Sequence, residues 1–552
     1  MPLGGVDKGP IETIAKDGPM PYVITEAVAS AAATLDGLGS TIGQAGGVAA
    51  GPTSGVLAAA GDEVSMAVAD LFGSFGRDYQ ALLGQATAFH ENFVQTLAAA
   101  AWAFTTAEGF GARLLSANPA ANVSLVLGPT GVPIPSANYV TAANNLYLHT
   151  LGLLQAVFTP EELYPITGVK SLPLNTSVQE GLTILDNTIT SQVSAGNNVT
   201  VFGYSQSAII ASLEMTKLAA MGSSAPSPGS LSFVLVGNEM NPNGGMLARF
   251  PGLTLPSLGL TFYGSTPSNT IYPTSLYTLE YDGFADFPRY PLNVVSDLNA
   301  VMGIPFVHVN YMKLTADQVN NAIALQTSAG YSGATHYYVI PTENLPLLEP
   351  LRAIPVIGKP LADLIQPDLK VIVNLGYGDP NYGYSTSPAD VPTPFGLFPD
   401  VSPGTVVNAL NVGTQQGIQA FTADLHSMSS STGTGPAFTL PTFAPPTPAD
   451  ITSTLAELPS PIKILNTATS IISTDYAVLL PTADIGLALA TTMPGYDATL
   501  FVDQLAQGNL INAIGYPLAA DVGLASVSAG VELLAIAGAA VSNIQDIQGL
   551  IP

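Results

Sequence analysis

Residues 199–210, VTVFGYSQSAII, constrain this chain more than any other stretch. Val199, Val201 and Phe202 are β-branched or aromatic, Gly203-Tyr204-Ser205-Gln206-Ser207 follows, and ASLEMTKLAAMG then runs on in residues compatible with a helix. The pattern predicts a strand, a tight turn and a helix without a spacer. A serine on such a turn has the form of a nucleophile elbow, in which the strained bend projects the hydroxyl from the sheet edge. Gly203 and Ser207, two residues either side, must be small where strand and helix approach; Ser207 stands where glycine is usual. The same letters also fit a plain turn in a βα unit, so the rest of the chain has to supply partners for the serine.

The surroundings supply a sheet. Val123, Leu125 and Leu127 alternate as a short strand that ends in Gly128-Pro129-Thr130-Gly131. Residues 177–192 read as a helix, and LSFVLVGN at 231–238 as another strand. Strands alternating with helices predict a mainly parallel sheet covered on both faces. A nucleotide cradle is the rival use of such a sheet, and the chain has no Gly-x-Gly-x-x-Gly or Walker pattern. A Gly-rich loop after the first strand is where an acyl-transfer enzyme of this kind takes its second oxyanion-hole amide; Thr130 and Gly131 are the candidates, beside the backbone amide of Gln206. A plain turn fits residues 128–131 as well.

The serine needs a base and an acid, and there are only five histidines. The chain order for this arrangement is serine, acid, histidine, which sets aside His90 and His149. His308, where the apolar run Ile304 to Val309 approaches a turn, is the expected base, His336 at the head of a strand is the fallback, and His426 reads as surface. For the acid, TSLYTLEYDGFADFPRYP offers two residues after a strand-like segment. The turn Gly283-Phe-Ala-Asp286 favours Asp286, with Asp282 as the alternative that caps or braces the same turn.

Composition removes other classes. The chain of 552 residues carries a net charge of −26 with 13 Lys and Arg, so a phosphate backbone would be repelled, and nucleic acid is excluded as a partner. Only 9% of residues are charged, against about a quarter in ordinary soluble domains. With no cysteine there is neither disulfide nor thiolate site, and no His/Asp/Glu cluster has metal-ligand spacing, so no metal or other cofactor is expected. No basic segment followed by an apolar core opens the chain, so no cleaved signal peptide is expected. The longest apolar C-terminal run, Leu533 to Ile544, is about twelve residues and predicts no transmembrane span.

Before the sheet, residues 1–19 read as an extension without period, and residues 20–108 as a helical hairpin. Val64, Val68, Leu71, Phe75, Tyr79, Leu82, Ala86, Phe89, Phe93 and Leu97 form one apolar stripe longer than the first helix can cover. This segment, from MPYVITEAVASAAATLDGLG to ATAFHENFVQTL, resembles the PE module of mycobacterial PE proteins. The naming Pro-Glu pair appears as Thr25-Glu26, and the terminal Tyr-x-x-x-Asp/Glu secretion signal as Phe104 to Glu108. The resemblance implies a PPE-type protein partner and export by a type VII system to the cell surface, the envelope or the medium.

Residues 109–120 read as a linker and 121–385 as the sheet domain, which resembles the PE-PPE domain, a serine α/β-hydrolase related to cutinases and lipases. LVLGPTG, VFGYSQSA, GGMLARFPG, EYDGFADFPRYPLN, VHVNY and YYVIPTENLPLLEPLR match in order. The resemblance implies ester hydrolysis through an acyl-enzyme on Ser205, and the apolar setting of the motifs favours a lipid or another apolar acyl ester. Acyl transfer to a sugar in cell-envelope glycolipid assembly is the alternative reaction, and a non-enzymatic surface or interaction protein the alternative class. Residues 386–450 read as a Pro/Ser/Gly-rich linker around one helix, 405–425, and residues 451–552 as short helical stretches broken by Pro and Gly, the last of which, Leu524 to Ile544, is open to packing on the hydrolase, lining an acyl channel or touching the envelope.

Overall fold

The computed structural model describes residues 121–168, 171–430 and 461–548, with isolated positions between 35 and 95. Two compact units result: Met1–Pro119 with Ser460–Asn466, and Ala120–Pro459 with Thr467–Pro552.

In the first unit the described positions are largely helical, and their packing has an antiparallel order. His90 Nε2 lies 2.8 Å from the Leu35 carbonyl. A Cβ on Gly39 would stand 2.5 Å from the His90 ring, and one on Gly46 would stand 2.1 Å from Leu83. Early positions therefore meet late ones and later positions meet earlier ones, the order of a helical hairpin, and His90 is a packed helix residue. Thr25, Glu26, Phe104 and Glu108 lie outside the described residues.

The second unit is built on the apolar runs. The main strands are β1 (Asn122–Val126), β2 (Leu153–Ala156), β3 (Asn198–Tyr204), β4 (Leu231–Val236), β7 (Thr274–Leu279), β8 (Ile323–Ala324) and β9 (Thr335–Ile340); β5 (Thr254–Leu255) and β6 (Leu260–Thr261) pair as a separate small ribbon. The main sheet has seven strands in the order β2-β1-β3-β4-β7-β9-β8. Every pairing in it is parallel except β8 on β9. Val201, Phe202, Leu125 and Val126 are all completely buried, as strands covered on both faces require. Helices α1 (Ala137–Ala143), α2 (Leu174–Ser194), α3 (Gln206–Met221) and α4 (Val294–Phe306) connect and cover these strands. This is the α/β-hydrolase architecture expected of the sequence.

Two sequence expectations change in the C-terminal part. The segment after the linker is not a series of short helices, because α7 (Pro461–Ala506) and α8 (Leu510–Gln548) run unbroken through Pro481, Pro494 and Pro517. A proline removes one backbone hydrogen bond and bends a helix, but it need not end one whose neighbours are packed and rich in Ala and Leu. Both helices are also long and apolar enough to cross a membrane by length and composition, a reach that the twelve-residue run alone did not indicate. Ile472, Leu479, Ile511, Ile514 and Leu518 face outward and are exposed.

On the inner side, α8 packs on α4 and on the loops beside it. A Cβ on Gly523 would lie 2.9 Å from both Phe250 and Pro291, and one on Gly530 would lie 2.9 Å from Val301. Tyr164 O–H donates to Asp484 at 2.6 Å, tying α7 to the loop after β2. Helices α5 (Gly358–Leu375) and α6 (Pro403–Ser430) pack together on another side, with His426 exposed on α6. The Gly523 contact gives a test. Gly523→Val should cost about 1–3 kcal/mol by overpacking against Phe250 and Pro291, read as a lower thermal midpoint and faster proteolysis of α8, and an unchanged midpoint would show that this face of α8 is not seated.

Candidate functional site

The site forms where three parallel strands end side by side. Ser205 follows β3, Glu239 lies three residues past β4, and Asp282 lies three residues past β7, all at the carboxyl edge of the sheet. His308 comes from a different kind of element, a 3₁₀ turn of residues His308–Lys313 that continues from the end of α4.

Ser205 has φ +57° and ψ −127°, a conformation that residues other than glycine rarely adopt. The turn around it is tight. A Cβ on Gly203 would sit 2.8 Å from the Ser207 carbonyl oxygen and 3.0 Å from the Ala208 nitrogen, so only glycine fits there. Ser207 fits because its hydroxyl serves the bend: Oγ accepts from Tyr204 N–H at 2.8 Å and donates to the Tyr204 carbonyl at 3.0 Å. The departure from glycine thus comes with two added hydrogen bonds across the turn.

Ser205 Oγ is 2.8 Å from His308 Nε2, and His308 Nδ1 is 2.8 and 2.9 Å from the two oxygens of Asp282. The acid on the imidazole is therefore Asp282 and not Asp286, which corrects the preference read from the turn sequence. Asp282 is fully buried, and its Oδ1 accepts from the Phe284 and Ala285 amides at 2.9 and 3.2 Å while Oδ2 accepts from Tyr311 O–H at 2.7 Å. Burial would raise its pKa, but the charge of His308 and the bonds from His308, Tyr311 and Phe284 outweigh that and hold it below the ordinary carboxylate value. Asp286 instead accepts from the Tyr281 amide at 3.0 Å, and burial far from water, only partly offset by that bond and by Arg249, pushes its carboxyl well up. It braces the turn that Asp282 heads.

What brings His308 over Asp282 is a close approach between α4 and the turn after β7. A Cβ on Gly283 would lie 2.0 Å from the Ala300 carbonyl oxygen, and one on Gly303 would lie 2.0 Å from the Tyr281 carbonyl oxygen. The two glycines let the helix ride directly on the turn. Tyr204 O–H donates to the His308 carbonyl, and Tyr311 O–H reaches Asp282 from the same 3₁₀ turn, so the ring is held from both sides. His336, the fallback, is exposed at the start of β9, opposite the carboxyl edge where Ser205 lies.

Of the two candidate oxyanion amides, Gly131 N–H is already committed to the Glu161 carbonyl at 2.7 Å. Thr130 N–H has no acceptor among the described residues, and Gln206 N–H, at the start of α3, has no intrahelical one. Thr130 and Gln206 both line the cavity that opens over Ser205. The Gln206 side chain fixes the two loops against each other: it accepts from Ser177 O–H at 2.7 Å and donates to the Glu162 carbonyl at 2.9 Å and to Thr130 Oγ1 at 3.4 Å.

The cavity has a volume of about 560 Å³ and is walled mainly by apolar side chains, among them Val132, Ile209, Phe284, Ile304 and Met312. One polar residue in it has no counterpart in the sequence reading. Glu239 is almost fully buried, with Oε1 3.0 Å from Ser205 Oγ. Burial pushes its carboxyl up to about 7, against the opposing pull of His308. Protonated, Glu239 can donate to Ser205 Oγ and leave the serine proton to His308; ionised, it competes with His308 for that proton. Glu161, buried with a hydrogen bond from Thr159 O–H at 2.6 Å, is also pushed well up by burial and by Glu239.

Comparison with known proteins agrees with this architecture. Residues 22–110 match the family model "PE family" and residues 153–378 match "PE-PPE domain". Three similar proteins come from Mycobacterium tuberculosis (strain ATCC 25618 / H37Rv). The protein named Uncharacterized PPE family protein PPE28 is 50% identical over 79% of this chain and 69% of its own length. Esterase PE16 is 47% identical over 68% of this chain and 72% of its own length. PE family protein PE3 is 45% identical over 73% and 88%. The chain belongs to the PE family and carries a PE-PPE domain. The folded sheet of this PE-PPE domain reaches further back than the matched span, since β1 lies between β2 and β3 and leads into the Thr130 loop.

Two residues of the site carry no sequence signal of their own. Glu239 is a lone acid in a Gly/Asn-rich loop, and only the parallel register of β3 and β4 sets it beside Ser205. Tyr311 is one aromatic among 21 tyrosines. Glu239 yields a stability test. Its folded-state pKa of about 7 lies above the usual 4.5, so the folded protein holds an extra proton between those values and loses stability as pH rises through that window. By linkage the loss is on the order of 3 kcal/mol. Glu239→Gln should lessen the fall in thermal midpoint between about pH 5 and about pH 8, and an identical pH slope in both proteins would refute a buried ionising group at this position.

Proposed function

We propose that this PE-PPE domain is a serine esterase that cleaves apolar acyl esters through an acyl-enzyme on Ser205. The observation that carries the reading is the unbroken line Asp282–His308–Ser205 at the mouth of an apolar cavity, with hydrogen bonds of 2.8 Å on either side of the imidazole. The similarity to Esterase PE16 supports the same activity class.

His308 Nε2 takes the Ser205 proton as Oγ attacks the carbonyl carbon, and the resulting imidazolium is stabilised by Asp282, which holds Nδ1–H and stays ionised. The Gln206 and Thr130 amides receive the oxyanion. His308 then returns the proton to the leaving alcohol. Water, activated by the same ring, attacks the acyl-enzyme and frees the acid. Transfer to a sugar hydroxyl would replace water in that last step alone. The mainly apolar lining favours an uncharged acyl chain, since most of its surface offers a charged group no partner for the hydration it would lose.

The test is hydrolysis of aryl acyl esters by the full chain, with fluorophosphonate labelling of the serine. Ser205→Ala and His308→Ala should abolish turnover, and Ser205→Ala should abolish labelling. Asp282→Asn should lower kcat by roughly three to four orders of magnitude while the protein stays folded, whereas Asp286→Asn should act mainly on stability. A fully active Asp282→Asn enzyme, or an unlabelled wild-type protein, would sink the triad reading. A sugar added in competition with water separates the two fates of the acyl group.

The pH profile follows from His308. Burial favours its neutral form, but the Asp282 carboxylate, with Glu239, outweighs burial and raises its pKa above 6.5. The base must be neutral, so kcat/KM should fall as pH drops through that raised value, with the slope of one proton. Asp282→Asn should move this acid limb to lower pH; a limb that stays put would assign it to another group.

Family membership also supports pairing of the N-terminal hairpin with a PPE-type protein and a place at the cell envelope or outside the cell. Co-expression with a PPE protein should yield a complex that a chain lacking residues 1–108 does not form.

A further inference from the structure

Behind the cavity over Ser205 lies a second apolar chamber of about 100 Å³. The two share a wall of Leu163, Ile166, Met246, Leu247, Leu260 and Phe284. The far side of the chamber is roofed by the C-terminal hairpin, with Ile485, Ala488 and Met493 from α7 and Leu524, Val527 and Val531 from α8. Leu534, one turn further along α8, reaches the first cavity itself. The roof is seated by polar ties at its rim: Tyr164 O–H to Asp484 at 2.6 Å, Ser257 O–H to the Asp484 carbonyl at 2.9 Å, and Ser526 O–H to Asp297 at 3.3 Å.

We propose that this chamber binds the distal part of a long, linear acyl chain, and that the α7–α8 hairpin sets the chain-length preference of the site. The inference rests on the esterase reading for the position of the ester group, since the chain must start at Ser205. Three observations carry it. Protein interiors are packed close to crystal density, and an unfilled apolar volume costs stability, so one held open beside a reactive serine has a use. Space lined in this way stays dry and accepts apolar ligands. And the wall between the two spaces is made of side chains without branching at Cβ, or of flexible Met246, apart from Ile166, so it can part for a methylene chain while still excluding a bulky or charged one. The hairpin's small inner residues have the matching role. Gly523 and Gly530 let α8 sit down on Phe250 and Val301, and Ala488, nearly fully buried, leaves room where a larger side chain would fill the chamber.

The test uses the full chain. Ser205→Ala is mixed with a long-chain fatty acid carrying a photoreactive diazirine at its methyl end, irradiated and digested. Labelled peptides should fall within residues 485–493 and 524–531, and excess palmitate should suppress them while butyrate does not. In protein with Ser205 intact, Ala488→Trp and, separately, Val527→Phe should lower the ratio of p-nitrophenyl palmitate to p-nitrophenyl butyrate hydrolysis by at least tenfold. Label scattered over the surface, or ratios equal to wild type in both variants once circular dichroism shows them folded, would overturn the chamber. If a variant fails to fold, the labelling of Ser205→Ala decides alone. The two readings part cleanly: hydrolysis of p-nitrophenyl butyrate with no label in the hairpin keeps the esterase and removes the chamber, while hairpin labelling with no hydrolysis of any ester does the reverse.

Discussion

A carboxylate with no exposure to water, Asp282, is the centre on which the site depends. Burying an ion is costly unless it is paired and fully hydrogen-bonded. Here the compensation comes from four groups in two segments of chain: His308 and Tyr311 from the 3₁₀ turn, and the Phe284 and Ala285 amides from the loop that Asp282 itself heads. The same bonds that make the ion tolerable therefore hold the imidazole at the serine. Stability and geometry are one arrangement, and removing the acid would leave the ring without its tautomeric guide.

That arrangement is possible because backbones come unusually close. Gly283 faces the Ala300 carbonyl and Gly303 faces the Tyr281 carbonyl, with no room for a Cβ at either place. Gly203 plays the corresponding part on the serine side, where β3 turns into α3. Ser205 takes its positive φ between them, and the strain of that conformation is carried by a turn braced by both hydrogen bonds of Ser207. Rigid elements on three sides thus aim one hydroxyl.

Around this fixed centre the carboxyls Glu239 and Glu161 are held in low-dielectric surroundings that favour their neutral forms. A neutral Glu239 leaves the Ser205 proton to His308, and a charged one contends for it, so protonation of a residue outside the Asp–His–Ser line bears on how that line works. The apolar cavity continues the same theme at larger scale. Little in it can pair a charge, and its outer boundary is set by helices from the far end of the chain.

Much of this was legible beforehand for definite reasons. The elbow showed because a strand, a small-residue turn and a helix leave three successive marks in 24 letters, Val199 to Gly222. Chain order and the scarcity of histidine singled out His308. The acid was a different matter. Asp282 and Asp286 stand four residues apart on one turn, and only the docking of α4 on Gly283 decided which of them meets the ring. Glu239 came to Ser205 through strand register, and Tyr311 to Asp282 through a 3₁₀ turn, neither of which leaves a local pattern. The proline-containing C-terminal segment misled because local propensity marks each proline as a stop, while packing against Phe250, Pro291 and Val301 supports a continuous helix beyond Pro517. Sequence by itself determined the parallel sheet, the strand–turn–helix at Ser205 and the histidine that stands beside it, since these rest on short-range periodicity and on residue chemistry. Tertiary structure alone decided which carboxylate meets the imidazole, where the buried glutamates lie and what roofs the cavity, since these rest on contacts between segments far apart in the chain.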